Sequence, residues 1–179
     1  GRPDTRPDLW LLDPRALDVQ HILDDPWITD AVFAPDARRL CLRGSPSAFD
    51  GLGRNLPADA VANDYGGQLY LYDHQRERAR PITRDFRPDV NHAVWCAADE
   101  RIYARTTDTQ YSNVYRYDLG DDSWERVETG LEYTDRIALP RDGRTATAYG
   151  TSAATPERLF AIDLRQNRAR PLHDAGDLA

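Results

Sequence analysis

The side chains that do most enzyme chemistry are scattered along this sequence. A serine nucleophile held on a strand-to-helix elbow needs Gly-x-Ser-x-Gly, because the flanking glycines permit the tight turn that exposes the hydroxyl. Of the five serines, Ser45, Ser47, Ser112, Ser123 and Ser152, only Ser152 has a glycine two positions before it, and Ala154 stands where the second belongs. His21, His74, His92 and His173 fall in four different segments at turns and strand ends, which reads as surface histidines rather than a general base beside a nucleophile. No Ser-His-Asp triad can be assembled from these residues.

Other chemistries are as thinly represented. Gly51-Leu52-Gly53 is a lone Gly-x-Gly with Leu56 where a third glycine would be needed, and the chain has no lysine to complete a phosphate loop. Asp121-Asp122 lies in a turn, where aspartate commonly bonds its own backbone, and no further oxygen ligand is spaced for calcium. Cys41 and Cys96 lack metal-type spacing and read as small buried thiols. No metal and no cofactor is expected.

The elements that must position any site are written as a repeat. Leu69-Tyr70-Leu71-Tyr72-Asp73, Val114-Tyr115-Arg116-Tyr117-Asp118 and Leu159-Phe160-Ala161-Ile162-Asp163 share one pattern, with aspartates 45 residues apart. Leu9-Trp10-Leu11-Leu12-Asp13 is a fourth copy. Period-two alternation closing on a polar turn, then restarting, predicts a hairpin for each copy. Upstream of three copies lies a second predicted hairpin, with turns at Pro35-Asp36-Ala37-Arg38, Ala98-Asp99-Glu100 and Arg141-Asp142-Gly143-Arg144. A helix competes only over Pro14–Asp25, and the repeat register outweighs it.

Four strands per 45-residue unit describes a β-propeller blade. The expected fold is all-β: a β-propeller fragment of about three and a half four-stranded antiparallel blades, forming one segment over 1–179. Its parts are an outer half-blade at 8–25 and blades at 30–85, 91–130 and 133–174. The first blade carries about 20 extra residues between its second and third strands, an insertion at 45–66. Long loops inside compact domains are usually functional or disordered. An open arc leaves blade edges unpaired, so self-association through those edges is expected.

The 179 residues carry 23 basic and 30 acidic groups, a net charge of −7, with 40% hydrophobic residues. That balance fits a folded domain and argues against a reader of phosphate backbones, which concentrates arginine on one face; nucleic acid is not an expected partner. The longest uninterrupted apolar run, Ala93–Ala98, is six residues, so no membrane span is expected. Every basic residue is arginine and methionine is absent even at position 1, from which an excised or processed piece is expected, with no signal peptide visible.

The 45-residue unit, with Pro-Asp-type turns after inner strands and Leu-Tyr-x-Tyr-Asp in outer ones, resembles the N-terminal propeller of bacterial serine peptidases of the prolyl oligopeptidase and dipeptidyl peptidase IV family. The insertion, from Gly44-Ser45-Pro46-Ser47-Ala48-Phe49-Asp50-Gly51-Leu52-Gly53-Arg54-Asn55 to Asn63-Asp64-Tyr65-Gly66, is similar to one found in such propellers. The repeat alone is shared with TolB-like propellers. The resemblance implies a non-catalytic portion of a serine peptidase that screens access to, or docks on, a separate α/β-hydrolase domain, with peptide as substrate and a periplasmic or extracellular location. The alternative is a free-standing TolB-like or WD-repeat-like interaction propeller. The adjacent glutamates with which dipeptidyl peptidases hold a substrate amine are missing, since Glu77, Glu100, Glu125, Glu128, Glu132 and Glu157 are never neighbours. Phe49, Arg54, Asn55, Asn63 and Tyr65 are the candidate contact residues for the hydrolase domain or a peptide. A flap that merely covers the adjacent blade is the competing role for the same loop.

Overall fold

The structure, a computed structural model, describes residues 8–56 and 64–174. It is nearly all β, and the strands form antiparallel sheets. The chain divides into two compact units, 1–86 and 87–179.

In the first unit, β1 (Asp8–Asp13) and β2 (Asp18–Asp24) form a two-stranded hairpin, so Pro14–Asp25 is turn and strand rather than helix. A four-stranded sheet follows in the order β3 (Ile28–Phe33), β4 (Arg39–Gly44), β5 (Gln68–Asp73), β6 (Arg78–Pro81). Its core is Ile28, Leu40, Leu42, Ala48, Tyr70 and Tyr72, onto which Leu9, Ile22 and Leu23 of the hairpin and Phe49 pack. Burying each large side chain fully contributes roughly 1.5–3 kcal/mol, so this cluster is the unit's main source of stability.

The second unit holds β7 (Asp89–Trp95), β8 (Ile102–Asp108), β9 (Tyr111–Asp118) and β10 (Ser123–Val127), paired in that order. It continues with β11 (Tyr133–Ala138), β12 (Thr145–Ser152), β13 (Thr155–Asp163) and β14 (Arg168–Asp174), again paired in order. The two sets meet where Tyr133 lies parallel to Ser112. Cys96, Tyr103, Val114, Val127, Leu131, Ala146, Ala148, Ile162 and Leu164 form the core. Arg116 crosses it, donating to Glu125 Oε2 at 2.7 and 2.9 Å and to the Leu164 carbonyl, so its charge is satisfied although the side chain is only 9% exposed.

The repeat has a local cause. Asp13, Asp73, Asp118 and Asp163 each accept two backbone N–H bonds through Oδ1, from Arg15 and Ala16, Gln75 and Arg76, Gly120 and Asp121, and Arg165 and Gln166, at 2.8–3.4 Å. Four positions after each aspartate the backbone turns left-handed, at Leu17, Glu77, Asp122 and Asn167. The carboxylate thus closes the turn without glycine. In the inner hairpins Asp36 accepts from the backbone N–H of Arg38 and Arg39, Asp99 from Arg101 and Asp142 from Arg144, and each is followed directly by a left-handed residue, Ala37, Glu100 and Gly143. A third recurrence has no sequence signal: β3, β7 and β11 each bulge after their first or second residue, at Thr29, Asn91 and Asp135.

Candidate functional site

The insertion at 45–66 breaks the repeat, and the structure shows how it is held. It begins with a single turn, α1 (Ala48–Gly51), whose Phe49, Asp50 and Gly51 have φ of 53°, 57° and 85°. Three successive left-handed residues reverse the chain so that Ala48 is fully buried and the Phe49 ring is carried onto the sheet. That ring lies 5.2 Å from Tyr70 and stacks on Tyr72 at 5.8 Å. Phe49 N–H donates to Asp25 Oδ2 at 2.7 Å, while Asp25 Oδ1 accepts the Trp27 N–H, so one carboxylate ties the insertion to the connection before β3.

A polar clasp closes the base. Ser47 donates its hydroxyl to Asp64 and accepts from the Arg54 guanidinium, which also reaches Asp64 at 3.4 Å. Ser47 is the buried serine among the described residues. A guanidinium stays protonated and cannot take the serine proton, so this trio fastens the loop and does not activate a nucleophile. Tyr70 donates to the Ser45 carbonyl at 2.7 Å; burial, with the Asp25 carboxylate second, raises its phenol and keeps it a donor. Gly53 sits against the same tyrosine, where a Cβ would lie 2.2 Å from the phenol oxygen.

The far side of the insertion points away from this base. Asn55 Nδ2 donates to Asp85 at 2.6 Å and Arg84 Nε donates to the Arg54 carbonyl at 3.1 Å, so the loop leans on the segment that follows β6. Arg54 and Asn55 are exposed and Tyr65 is 97% exposed. Of the five candidate contact residues, Phe49 is turned inward as an anchor, while Arg54, Asn55 and Tyr65 lie on the surface. Asn63 lies outside the described residues. Ser47, Asp64, Asp25, Arg84 and Asp85, which position them, carry no spacing signal in the sequence.

Two concavities lie outside the insertion. A cavity of about 130 Å3 between the β1–β2 hairpin and β3 is lined by Asp8, Leu9, Leu23, Asp25, Ile28 and Asp30. It is well below the roughly 300–1,000 Å3 of small-molecule pockets. An open groove of about 530 Å3 at β13 and β14 is lined by Thr145, Ala161, Asp163, Arg168, Arg170 and Pro171. Among the described residues no three His, Cys, Asp or Glu side chains converge as metal ligands. Both cysteines are free and buried, and burial pushes the Cys41 thiol up to about 12.

No known family model and no characterised protein matches the chain by sequence. Among solved structures, dipeptidyl peptidase 4 from Porphyromonas gingivalis superposes with a TM-score of 0.68 at 16% identity, over 93% of this chain and 22% of that one. Oligogalacturonate lyase from Vibrio parahaemolyticus gives 0.62 at 14% identity, covering 93% and 42%. TolB from Acinetobacter baumannii gives 0.51 at 16%, covering 93% and 49%. What is shared at such identities is the fold. The chain spans less than half the length of each of these proteins.

Proposed function

We propose that the chain is the non-catalytic propeller portion of a serine peptidase, screening substrate access to a separate α/β-hydrolase domain or docking upon it. In this reading the sheets β3–β6, β7–β10 and β11–β14 are three blades, the β1–β2 hairpin is an outer half-blade, and Arg54, Asn55 and Tyr65 are the contact surface. The likeness to dipeptidyl peptidase 4, which takes in 93% of this chain but 22% of that protein, is the observation that carries it. A catalytic domain would occupy the length this chain does not match. TolB favours a second reading, an interaction propeller belonging to no enzyme.

A fluorophosphonate probe and chromogenic Pro- and Ala-dipeptide substrates, applied to this chain and to the full-length parent, separate the readings. The chain alone stays unlabelled, whereas the parent is labelled at a serine outside these 179 residues. Replacing residues 55–63 of the parent by a short glycine linker together with Tyr65→Ser, which removes Asn55 and Tyr65 but spares Phe49 and the Ser47–Arg54–Asp64 clasp, then shifts KM among peptides of different length while leaving Tm unchanged. Labelling of any of the chain's own serines overturns the non-catalytic assignment, and an unlabelled parent favours the interaction module.

A further inference from the structure

In the second unit a backbone bridge, Tyr133 beside Ser112, joins β11 to β9 near the start of the latter strand. Toward the other end of β9 the two four-stranded sets, β7–β10 and β11–β14, are held by side chains. Arg116 on β9 and Glu125 on β10 stand opposite each other, and Arg116 Nε and Nη2 both donate to Glu125 Oε2, at 2.9 and 2.7 Å. The remaining guanidinium nitrogen, Nη1, donates to the Leu164 carbonyl in the turn between β13 and β14. The second carboxylate oxygen, Glu125 Oε1, accepts Asn167 Nδ2 of that same turn at 3.0 Å.

Asn167 also covers a sheet edge. Among the described strands β10 pairs with β9 alone, so its far side is an edge. Asn167 Nδ2 donates to the Arg126 carbonyl at 2.8 Å and Oδ1 accepts the Glu128 N–H at 2.9 Å, the two groups flanking Val127 that one residue of a parallel strand would use. Donor and acceptor ends are both engaged, which fixes the orientation of the carboxamide. Position 167 is the left-handed residue of its turn, with φ of 51°, and its counterparts in the other copies are Leu17, Glu77 and Asp122. Leucine offers no polar group and an ionised carboxylate only accepts, so asparagine alone of the four can both donate and accept.

We infer that Asn167, Glu125 and Arg116 are one latch, which holds the β13–β14 turn on the edge of β10 and governs how readily the two sets separate. The core between the sets contains Val114 and Val127 from one and Ala146, Ala148 and Ile162 from the other, with the free, buried Cys96 among them. Thiol labelling of the native chain therefore reads their separation. The competing role for Asn167 is that of backbone alone, since asparagine tolerates positive φ better than most residues. The latch stands or falls independently of the peptidase reading.

Asn167→Gly separates the two roles, because it accepts the left-handed backbone without steric cost and removes only the carboxamide. Cys96 labelling of the folded chain rises roughly tenfold, the scale of two or three lost hydrogen bonds, Cys41 labelling is unchanged, and the Glu128 amide loses its protection in hydrogen-exchange NMR. Asn167→Asp tolerates the same φ but cannot donate to the Arg126 carbonyl and sets a second carboxylate beside Glu125, so it raises Cys96 labelling at least as much. Glu125→Ala raises it too, and adding Asn167→Gly to Glu125→Ala multiplies labelling by less than Asn167→Gly does in wild type, because both break the same set of contacts. Circular dichroism confirms that the variants are folded; should Glu125→Ala unfold by leaving the Arg116 charge buried without its partner, the two Asn167 variants decide. Cys96 labelling that is unchanged or slower in Asn167→Gly, an equal rise at Cys41, or an Asn167→Asp that matches wild type overturns the latch. Fully multiplicative effects of Asn167→Gly and Glu125→Ala overturn its acting as one unit.

Discussion

The four-stranded sets β3–β6, β7–β10 and β11–β14 follow one pairing order, and the set in the first unit departs from the two in the second at one joint. In the second unit β8 passes to β9 through Thr109 and Gln110 alone, and β12 to β13 through Ala153 and Ala154. In the first unit the equivalent passage from β4 to β5 takes residues 45–67. Even so, β4 and β5 pair without a slip from Arg39↔Asp73 to Gly44↔Gln68. A sheet tolerates a long excursion when the excursion brings its own core residue and its own polar partners, here Phe49 and the Ser47–Arg54–Asp64 clasp. The short joints of the second unit need neither, and at Gly150 its strands approach closely over the buried core.

Each unit also contains its own reporter of opening. Cys41 lies on β4 and Cys96 in the second core, both buried, with burial raising both thiols so that native labelling requires opening. The largest expected effect is Gly150→Ala. A Cβ there would fall 1.9 Å from the Tyr133 carbonyl oxygen, forcing β12 from β11 at a cost of about 3 kcal/mol. Cys96 labelling should rise roughly a hundredfold with Cys41 unaffected; an equal rise at both thiols would mean that the units open together, and the contrast between them would fall.

Phe49→Ala comes next. It removes a half-buried ring from Tyr70 and Tyr72, costing about 2 kcal/mol, and should speed Cys41 labelling roughly thirtyfold while leaving Cys96 alone. If Cys41 does not respond, the insertion rides on the sheet instead of stabilising it. The smallest effect is matched across the units. Ala37→Gly and Glu100→Gly relieve left-handed backbone at the same turn position, each gaining about 0.5 kcal/mol and slowing the labelling of its own unit's cysteine two- to threefold. Slower labelling of the other unit's thiol would show the turns to be coupled.

These contrasts were unequally legible in the residues. The all-β class follows from period-two alternation and turn aspartates, signals local enough to survive without tertiary information, and Asp13, Asp73, Asp118 and Asp163 behave as such residues should. The bulges at Thr29, Asn91 and Asp135 were not legible, because three unlike residues occupy them and the deviation is one of strand pairing. In the insertion, Phe49 reads as a contact residue by type. Its inward direction depends on two non-glycine residues with positive φ and on Asp25, 24 positions away, none of which composition or spacing reveals.

The length of the β4–β5 passage also has an entropic meaning. Loop-closure cost grows as about (3/2)RT ln n, so twenty-three residues instead of two add roughly 2 kcal/mol of lost chain freedom to the first sheet. The stacked Phe49 ring is of the same size in energy. The anchor therefore nearly cancels the chain entropy that its own loop costs, and the exposed Arg54, Asn55 and Tyr65 are carried at almost no net cost to the sheet beneath them.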